Sequence, residues 1–233
     1  MLDAILFDLD GTLLPMDYDT FTEGYLKLLA GALLPHGYDP KQMLSAMWKG
    51  VSDMTKNDGK ETNVTVFFRR FASVLGDRVY EDEKYLDAFY HTDFHKAKAF
   101  TQPTKNARRA VDLARKKAKK VVLATNPLFP ASAIEARLSW AGLSPSDFDL
   151  VTTYENSRAC KPNPLYYELI LKEIGARADE SLMIGNHADE DMRAAASLGI
   201  KTFFLTDCLM GDAEGLDSPR GDFPALFTFL KSL

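Results

Sequence analysis

The sequence predicts an α/β fold: a parallel β-sheet with helices on both faces, interrupted by an inserted all-helical segment. Three observations predict it. Five short β-rich apolar runs (Ala4 to Phe7, Val121 to Thr125, Leu150 to Thr153, Leu182 to Ile184, Lys201 to Leu205) alternate with segments of helical periodicity. Four of these runs lie after residue 120, and residues 17 to about 95 carry helical stripes with no convincing strand. Alternation of this kind builds a parallel sheet, because each crossover helix lies over a sheet face.

In chain order, Ala4 to Phe7 is the first strand. The next segment holds four apolar stripes: Phe21-Tyr25-Leu28-Leu29, Met43-Leu44-Met47-Val51, Phe67-Phe71-Val74-Leu75 and Tyr85-Leu86-Phe89. Each marks an amphipathic helix, and their aromatic and methionine content reads as the core of a small bundle. The polar stretch Ser52 to Thr62, with turn chemistry at Asn57-Asp58-Gly59, separates the second helix from the third. The chain leaves the first strand near Pro15 to Tyr18 and returns near Phe94 to Pro103. That divides it into a core of residues 1–16 and 96–233 and a helical unit of residues 17–95.

A helix with Ala107, Ala110, Val111 and Ala114 on one face is expected to end in the basic run Arg115 to Lys120. Cations at a helix C-terminus are favoured by ~0.3–1 kcal/mol each, so the run reads as a solvated helix end rather than a nucleic-acid patch. Further on, Gly142 and Gly199 close the helices of Ile134-Leu138-Ala141 and Met192-Ala195-Ala196. Asn163 caps another helix with Pro164 at its first position, and Gly175 ends it.

Composition excludes several classes of function. Of 233 residues 46% are hydrophobic and 26% charged, as in ordinary globular proteins, and the net charge of −5 argues against a general nucleic-acid binder. Met1-Leu2-Asp3 does not begin a secretory signal, and no apolar stretch approaches the ~20 residues that span a bilayer. Cys160 and Cys208, 48 positions apart, form neither a metal motif nor a disulfide framework, which fits the cytoplasm. No protein partner is evident.

The chemistry concentrates at Ile5-Leu6-Phe7-Asp8-Leu9-Asp10-Gly11-Thr12. An apolar strand delivers two carboxylates at its C-terminal end, where ligands bind in open α/β sheets, and a glycine then lets the backbone turn close to a ligand. This string resembles the first motif of the haloacid dehalogenase-like (HAD) hydrolase superfamily, DxDGT. Three further motifs match in order: Val121-Val122-Leu123-Ala124-Thr125-Asn126, Cys160-Lys161-Pro162, and Ile184-Gly185-Asn186 followed by Asp191.

The resemblance implies a Rossmann-like core whose helical insertion is a cap that closes over the site and selects the substrate's leaving group. It implies a Mg²⁺-dependent phosphatase acting on a small phosphorylated metabolite. In that reading Asp8 is the nucleophile and Asp10 the acid and base. Thr125, with nearby N–H groups of Gly11, Thr12 and Asn126, holds the phosphoryl oxygens, and Lys161 balances their charge. Asp8, the Asp10 carbonyl, Asn186 and Asp191 surround the metal, Asp191 directly or through water. Relatives that displace halide from carbon lack the second Asp. Lys56, Asn57 and Arg69 are candidate cap contacts with substrate, and His91 and His95 lie near the cap's end.

One residue departs from the pattern. Asn186 stands where most relatives have an Asp, which implies weaker Mg²⁺ affinity unless Asp189 or Glu190 supplies the missing charge. The acids Asp189, Glu190 and Asp191 also suit the first turn of a helix. A sugar phosphomutase built on the same Asp8, a phosphoacceptor module and an inactive binding protein are the alternatives.

Overall fold

The structure, a computed structural model, describes residues 1–233. Six strands form one sheet: β1 (Leu2–Phe7), β2 (Ala118–Leu123), β3 (Leu150–Val151), β4 (Ser181–Gly185), β5 (Lys201–Leu205) and β6 (Arg220–Gly221). Their order is β3-β2-β1-β4-β5-β6, and every neighbouring pair is parallel. Each of the five expected runs holds a strand. β6 was not expected, since two residues at a sheet edge leave no periodicity to read.

The central strand explains its own sequence. Ile5 and Phe7 face one apolar core and Ala4 and Leu6 the other, so both faces are covered and the strand reads as an unbroken apolar run. Chain direction across the sheet reverses between β1 and β4. Ligands bind at such switch points, outside the carboxyl ends of the strands.

Between β1 and β2 lie α1 (Tyr18–Leu33), α2 (Pro40–Thr55), α3 (Asn63–Leu75), the single turn α4 (Arg78–Glu81) and α5 (Glu83–His91). Asp17 caps α1 by accepting from Thr20 N–H at 2.8 Å, and Asp39 caps α2 through Gln42 N–H at 2.9 Å. The four expected stripes fall on α1, α2, α3 and α5. Phe21, Tyr25, Phe67, Phe71 and Phe89 share one continuous core with Phe7, Ile134 and Trp140. Where the chain leaves and returns, Met16 pairs antiparallel with Thr101, and Gln102 N–H donates to the Pro15 carbonyl at 2.7 Å.

The remaining helices are α6 (Asn106–Ala114), α7 (Ala131–Trp140), α8 (Leu165–Ile174), the short α9 (Ala194–Ala196) and α10 (Phe223–Ser232). α6, α7 and α10 pack on one face of the sheet, α8 and α9 on the other. Asn163 Oδ1 accepts from Leu165 N–H at 3.0 Å, and Gly175 ends α8 at φ +67°. No helix is long and apolar enough to cross a membrane.

The basic run differs from the expectation. α6 stops at Ala114, and Ala118, Lys119 and Lys120 already belong to β2. The charges are absorbed by acids at strand starts: Lys119 pairs with Asp3 at 2.7 Å and Lys120 with Asp149 at 3.4 Å. Strand pairing with β1 outweighs the helical preference of lysine there, because Leu2 and Ala4 on β1 find partners at Ala118 and Lys120.

Candidate active site

The crevice at the β1/β4 switch point is lined by Asp8, Asp10, Thr125, Asn126, Asn186, Glu190 and Asp191. All but Glu190 and Asp191 arrive just after a strand. Asp8 follows β1, its N–H donating to the Ile184 carbonyl at 3.0 Å. Thr125 and Asn126 follow β2, Asn186 follows β4, and Lys161 comes from the loop before α8.

Lys161 is wholly buried between two carboxylates, donating to Asp8 Oδ1 at 2.9 Å and Asp191 Oδ1 at 2.6 Å. Burial works against its charge, but Asp191 and Asp8 more than compensate and hold its pKa well above the usual lysine range. Burial pushes Asp8 up to about 6, reinforced by Asp191 and opposed by Lys161. The nucleophile candidate is thus a desolvated carboxylate kept in place by one ammonium.

Asp191 turns out to brace this arrangement. Its Oδ2 accepts from the N–H groups of Asn186 at 3.1 Å and His187 at 3.0 Å, while Oδ1 takes Lys161. A Cβ at Gly185 would lie 2.2 Å from Asp191 Oδ2, so only glycine admits this packing. With three protein donors on its two oxygens and almost no exposure, Asp191 holds the turn and Lys161 in this structure.

Asp10 has a partner that the sequence reading missed. Arg137, on α7 and fully buried, donates through Nη1 to Asp10 Oδ2, and its guanidinium stacks 4.2 Å from the Phe129 ring centre. Burial raises the Asp10 pKa, with Arg137 opposing and Asp8 reinforcing the rise. Asp10 Oδ1 and Arg137 Nη2 are buried without protein partners. The local sequence holds a hint: Arg137 is flanked by Ala133, Ile134, Ala136, Leu138 and Trp140, so a charge buried among them needs a partner, though nothing local says which.

The anomalous amide is built in at both ends. Asn186 Oδ1 accepts from Thr12 Oγ1 at 3.0 Å, and Nδ2 donates to the Cys208 carbonyl at 2.6 Å. Gly11, at φ +83°, lies against it; a Cβ there would sit 2.2 Å from Asn186 Nδ2. Gly11 and Thr12 therefore support Asn186 instead of lining the crevice. The three acids after it lie in a π-helical turn, Ala188–Arg193, whose Asp189 and Glu190 N–H groups are capped by His187 Nδ1. Asp189 points away to Arg193 at 2.8 Å, whereas Glu190 accepts from Asn126 Nδ2 at 3.0 Å at the crevice wall. Burial raises the Glu190 pKa.

The three expected cap contacts lie elsewhere. Lys56 donates to Ser52 Oγ, and Arg69 pairs with Glu61, both in solvent. Asn57 is buried but donates to the Glu61 carbonyl at 2.9 Å and to Asn63 Oδ1 at 2.8 Å. Asn63 in turn donates to the Pro127 carbonyl at 3.2 Å and Cys160 Sγ at 3.2 Å. The polar loop thus ties α3 to the loops that carry Asn126 and Lys161, which is why its amides are used up structurally. His91 pairs with Asp87 at 3.3 Å in solvent, and His95 lies edge-on to Trp140.

The donor set suits a hard cation. Asp8, Asp10 and Asn186 line one crevice and can each offer an oxygen, and Mg²⁺ typically takes one or two carboxylates with water.

The chain is similar to known proteins over most of its length. The chain is 27% identical over 210 residues, 88% of its own length and 86% of the other's, to the glyceraldehyde 3-phosphate phosphatase of Methanothermobacter thermautotrophicus. Similar solved structures include a 2-haloacid dehalogenase from Pseudomonas syringae (TM-score 0.65, 18% identity, 100% and 99% of the two chains). A HAD phosphatase from Thermococcus onnurineus superposes with TM-score 0.61 at 19% identity over 98% of each chain. HAD-hydrolase YfnB from Bacillus subtilis, bound to magnesium, gives TM-score 0.61 at 18% identity over 99% of each. The family model of haloacid dehalogenase-like hydrolases matches residues 2–199, and the chain belongs to that family.

Proposed function

We propose that this hydrolase is a Mg²⁺-dependent phosphomonoesterase that acts on a small phosphorylated metabolite through an aspartyl-phosphate intermediate. The observation that carries the proposal is the pairing of two differently held carboxylates at one strand end, Asp8 on Lys161 and Asp10 on Arg137. Two acids with separate environments can take separate roles, nucleophile and proton carrier.

In the first step an Asp8 oxygen attacks phosphorus, the bond from phosphorus to the ester oxygen breaks, and Asp10 gives its proton to the departing alkoxide. Burial of Asp10 favours the protonated form needed for that transfer. In the second step Asp10 takes a proton from water as the water attacks phosphorus, which frees Asp8 and releases inorganic phosphate. Thr125 and Asn126 line the crevice where the phosphoryl oxygens lie, and Lys161 offsets the negative charge gathered beside Asp8. Asp8, the Asp10 carbonyl and Asn186 would hold Mg²⁺, whose charge offsets that of the phosphoryl group.

Halide leaves carbon without needing a proton, so a clamped proton donor at Asp10 favours an alkoxide leaving group over halide. The relative named as a glyceraldehyde 3-phosphate phosphatase supports phosphate monoesters as the substrate class. We place residues 17–95 as a cap over the core of residues 1–16 and 96–233, since Tyr18 of α1 lines the crevice and α1 and α2 wall the pocket that adjoins it at Asp10. Two free thiols, Cys160 and Cys208, suit a reducing compartment such as the cytoplasm.

The test is phosphate release from a panel of phosphomonoesters with Mg²⁺, repeated with a chelator and with Asp8→Asn. Activity that depends on both Asp8 and Mg²⁺ is expected. Abundant isomerised sugar phosphate with little free phosphate would replace the hydrolase reading by a mutase.

A further inference from the structure

The crevice continues past Asp10 into a second, apolar chamber. The two share Asp10, Tyr18, Leu128 and Phe129, so the proton carrier stands at their junction. On the side of the helical insertion the chamber is walled by Phe21, Leu26, Met47, Trp48 and Val51. Tyr25 adds its ring, while its hydroxyl is taken by Tyr90 at 2.9 Å. No Lys, Arg or His lines the chamber, and Asp10 is its one charged residue. Trp48 and Tyr18 are 51% and 46% exposed, two of only seven large apolar side chains left open to solvent, and both border this opening.

Position and lining together define an occupant. In the proposed reaction the ester oxygen of a phosphoryl group on Asp8 faces Asp10, and the chamber that adjoins Asp10 is placed to receive what that oxygen carries. We propose that this chamber, where a cap of this family would receive the leaving group, selects phosphomonoesters of uncharged, apolar alcohols, branched aliphatic or aromatic, over triose phosphates and esters carrying a second anion. This deepens the phosphomonoesterase reading and rests on it.

Two physical terms enforce the selection. Apolar carbon entering the chamber leaves water and covers Trp48 and Tyr18, which improves binding about threefold to fourfold per methylene. A carboxylate or second phosphate entering it loses hydration and faces Asp10, and it meets no cation in the lining because Arg137 lies fully buried behind Asp10 and Phe129. A polyol or aldehyde substituent pays a smaller cost, since few groups in the lining, the Tyr18 and Thr22 hydroxyls and Asp10 among them, can partner its oxygens. The chain therefore departs from the substrate for which its relative is named.

The experiment compares kcat/KM for methyl, n-propyl, 3-methylbutyl and benzyl phosphates with that for glyceraldehyde 3-phosphate and 2-phosphoglycolate, using the full chain with Mg²⁺ and an Asp8→Asn control. The expected result is a rise from methyl to 3-methylbutyl phosphate of at least about tenfold, with benzyl phosphate near the top and 2-phosphoglycolate at the bottom. A flat alkyl series, or a preference for either polar ester, overturns the apolar leaving-group site while leaving the hydrolase reading intact. Failure of every ester to release phosphate in an Asp8-dependent way overturns the hydrolase reading and this inference with it.

Trp48→Arg adds a second reading of the same site. Because Trp48 is half exposed, the substitution places a cation at the chamber mouth without opening the core. The ratio of kcat/KM for 2-phosphoglycolate to that for 3-methylbutyl phosphate is expected to rise about tenfold or more. An unmoved ratio in a variant that unfolds at the wild-type temperature counts against the proposal. If the variant does not fold, the wild-type series decides alone.

Discussion

The two walls of the active-site region are made of opposite materials. At the sheet end, Asp8, Asp10, Lys161, Arg137 and Asp191 form a buried set of charges in which each is held by an opposite one. Across from it, α1 and α2 present aromatic and aliphatic side chains with no cation among them. The difference teaches where each property originates. Charges are placed by short strand ends whose backbone is locked in the sheet, so their geometry is set within a few residues. The apolar wall exists only because two helices pack side by side, so its shape depends on residues far apart in the chain.

The comparison can be broken most severely at Arg137. Replacing it with Met leaves Asp10 without its partner in a buried setting, at a cost of ~3–5 kcal/mol in stability. Activity is expected to fall by about 10²- to 10⁴-fold, the usual contribution of a general acid–base. Arg137→Lys should recover part of the activity, as kcat measured beside denaturant unfolding would show. Equal losses in both variants would mean that the fork of the guanidinium, not only its charge, positions Asp10.

Asn186→Asp sharpens the comparison from the metal side. An aspartate there sets a carboxylate oxygen against the Cys208 carbonyl, where the amide now donates at 2.6 Å. Without metal the chain should lose ~1–3 kcal/mol, while Mg²⁺ should bind more tightly and restore the stability. Thermal unfolding with and without Mg²⁺ tests both parts.

A pH series reports on Asp8. Its folded pKa of about 6 lies above the unfolded value, so between about 4 and 6 the native state binds more protons than the unfolded state. The contribution of this group to the stability of the metal-free chain therefore declines as pH rises through that window, and Asp8→Asn should remove that decline. The smallest effect belongs to the exposed pairs on the helical unit. Lys56→Ala and Arg69→Ala should leave the unfolding midpoint and kcat/KM unchanged, since neither side chain reaches the crevice.

How much was legible follows from the same contrast. Asp8, Thr125, Lys161 and Asn186 could be picked out because each stands in a short motif beside an apolar run, and the parallel sheet then draws the run ends together. Asn57 was selected for its polarity in a long loop, yet its amide is used between Glu61 and Asn63, a role that depends on a neighbour chosen by folding. Arg137 lies 127 positions from Asp10, and nothing local to either names the other. β6 pairs with β5 through two residues and carries no pattern at all.

Sequence alone determined the α/β class, the helical insertion after the first strand and the family, because periodicity and motif order are properties of neighbouring residues. Tertiary structure alone decided that Arg137 clamps Asp10, that Asp191 braces Lys161, and that the chamber beyond the acid is apolar. Those features arise from burial, where a charge must find a partner and apolar side chains from separate helices must share one space. A local pattern can raise such a requirement, as around Arg137, but it does not name the residues that meet it.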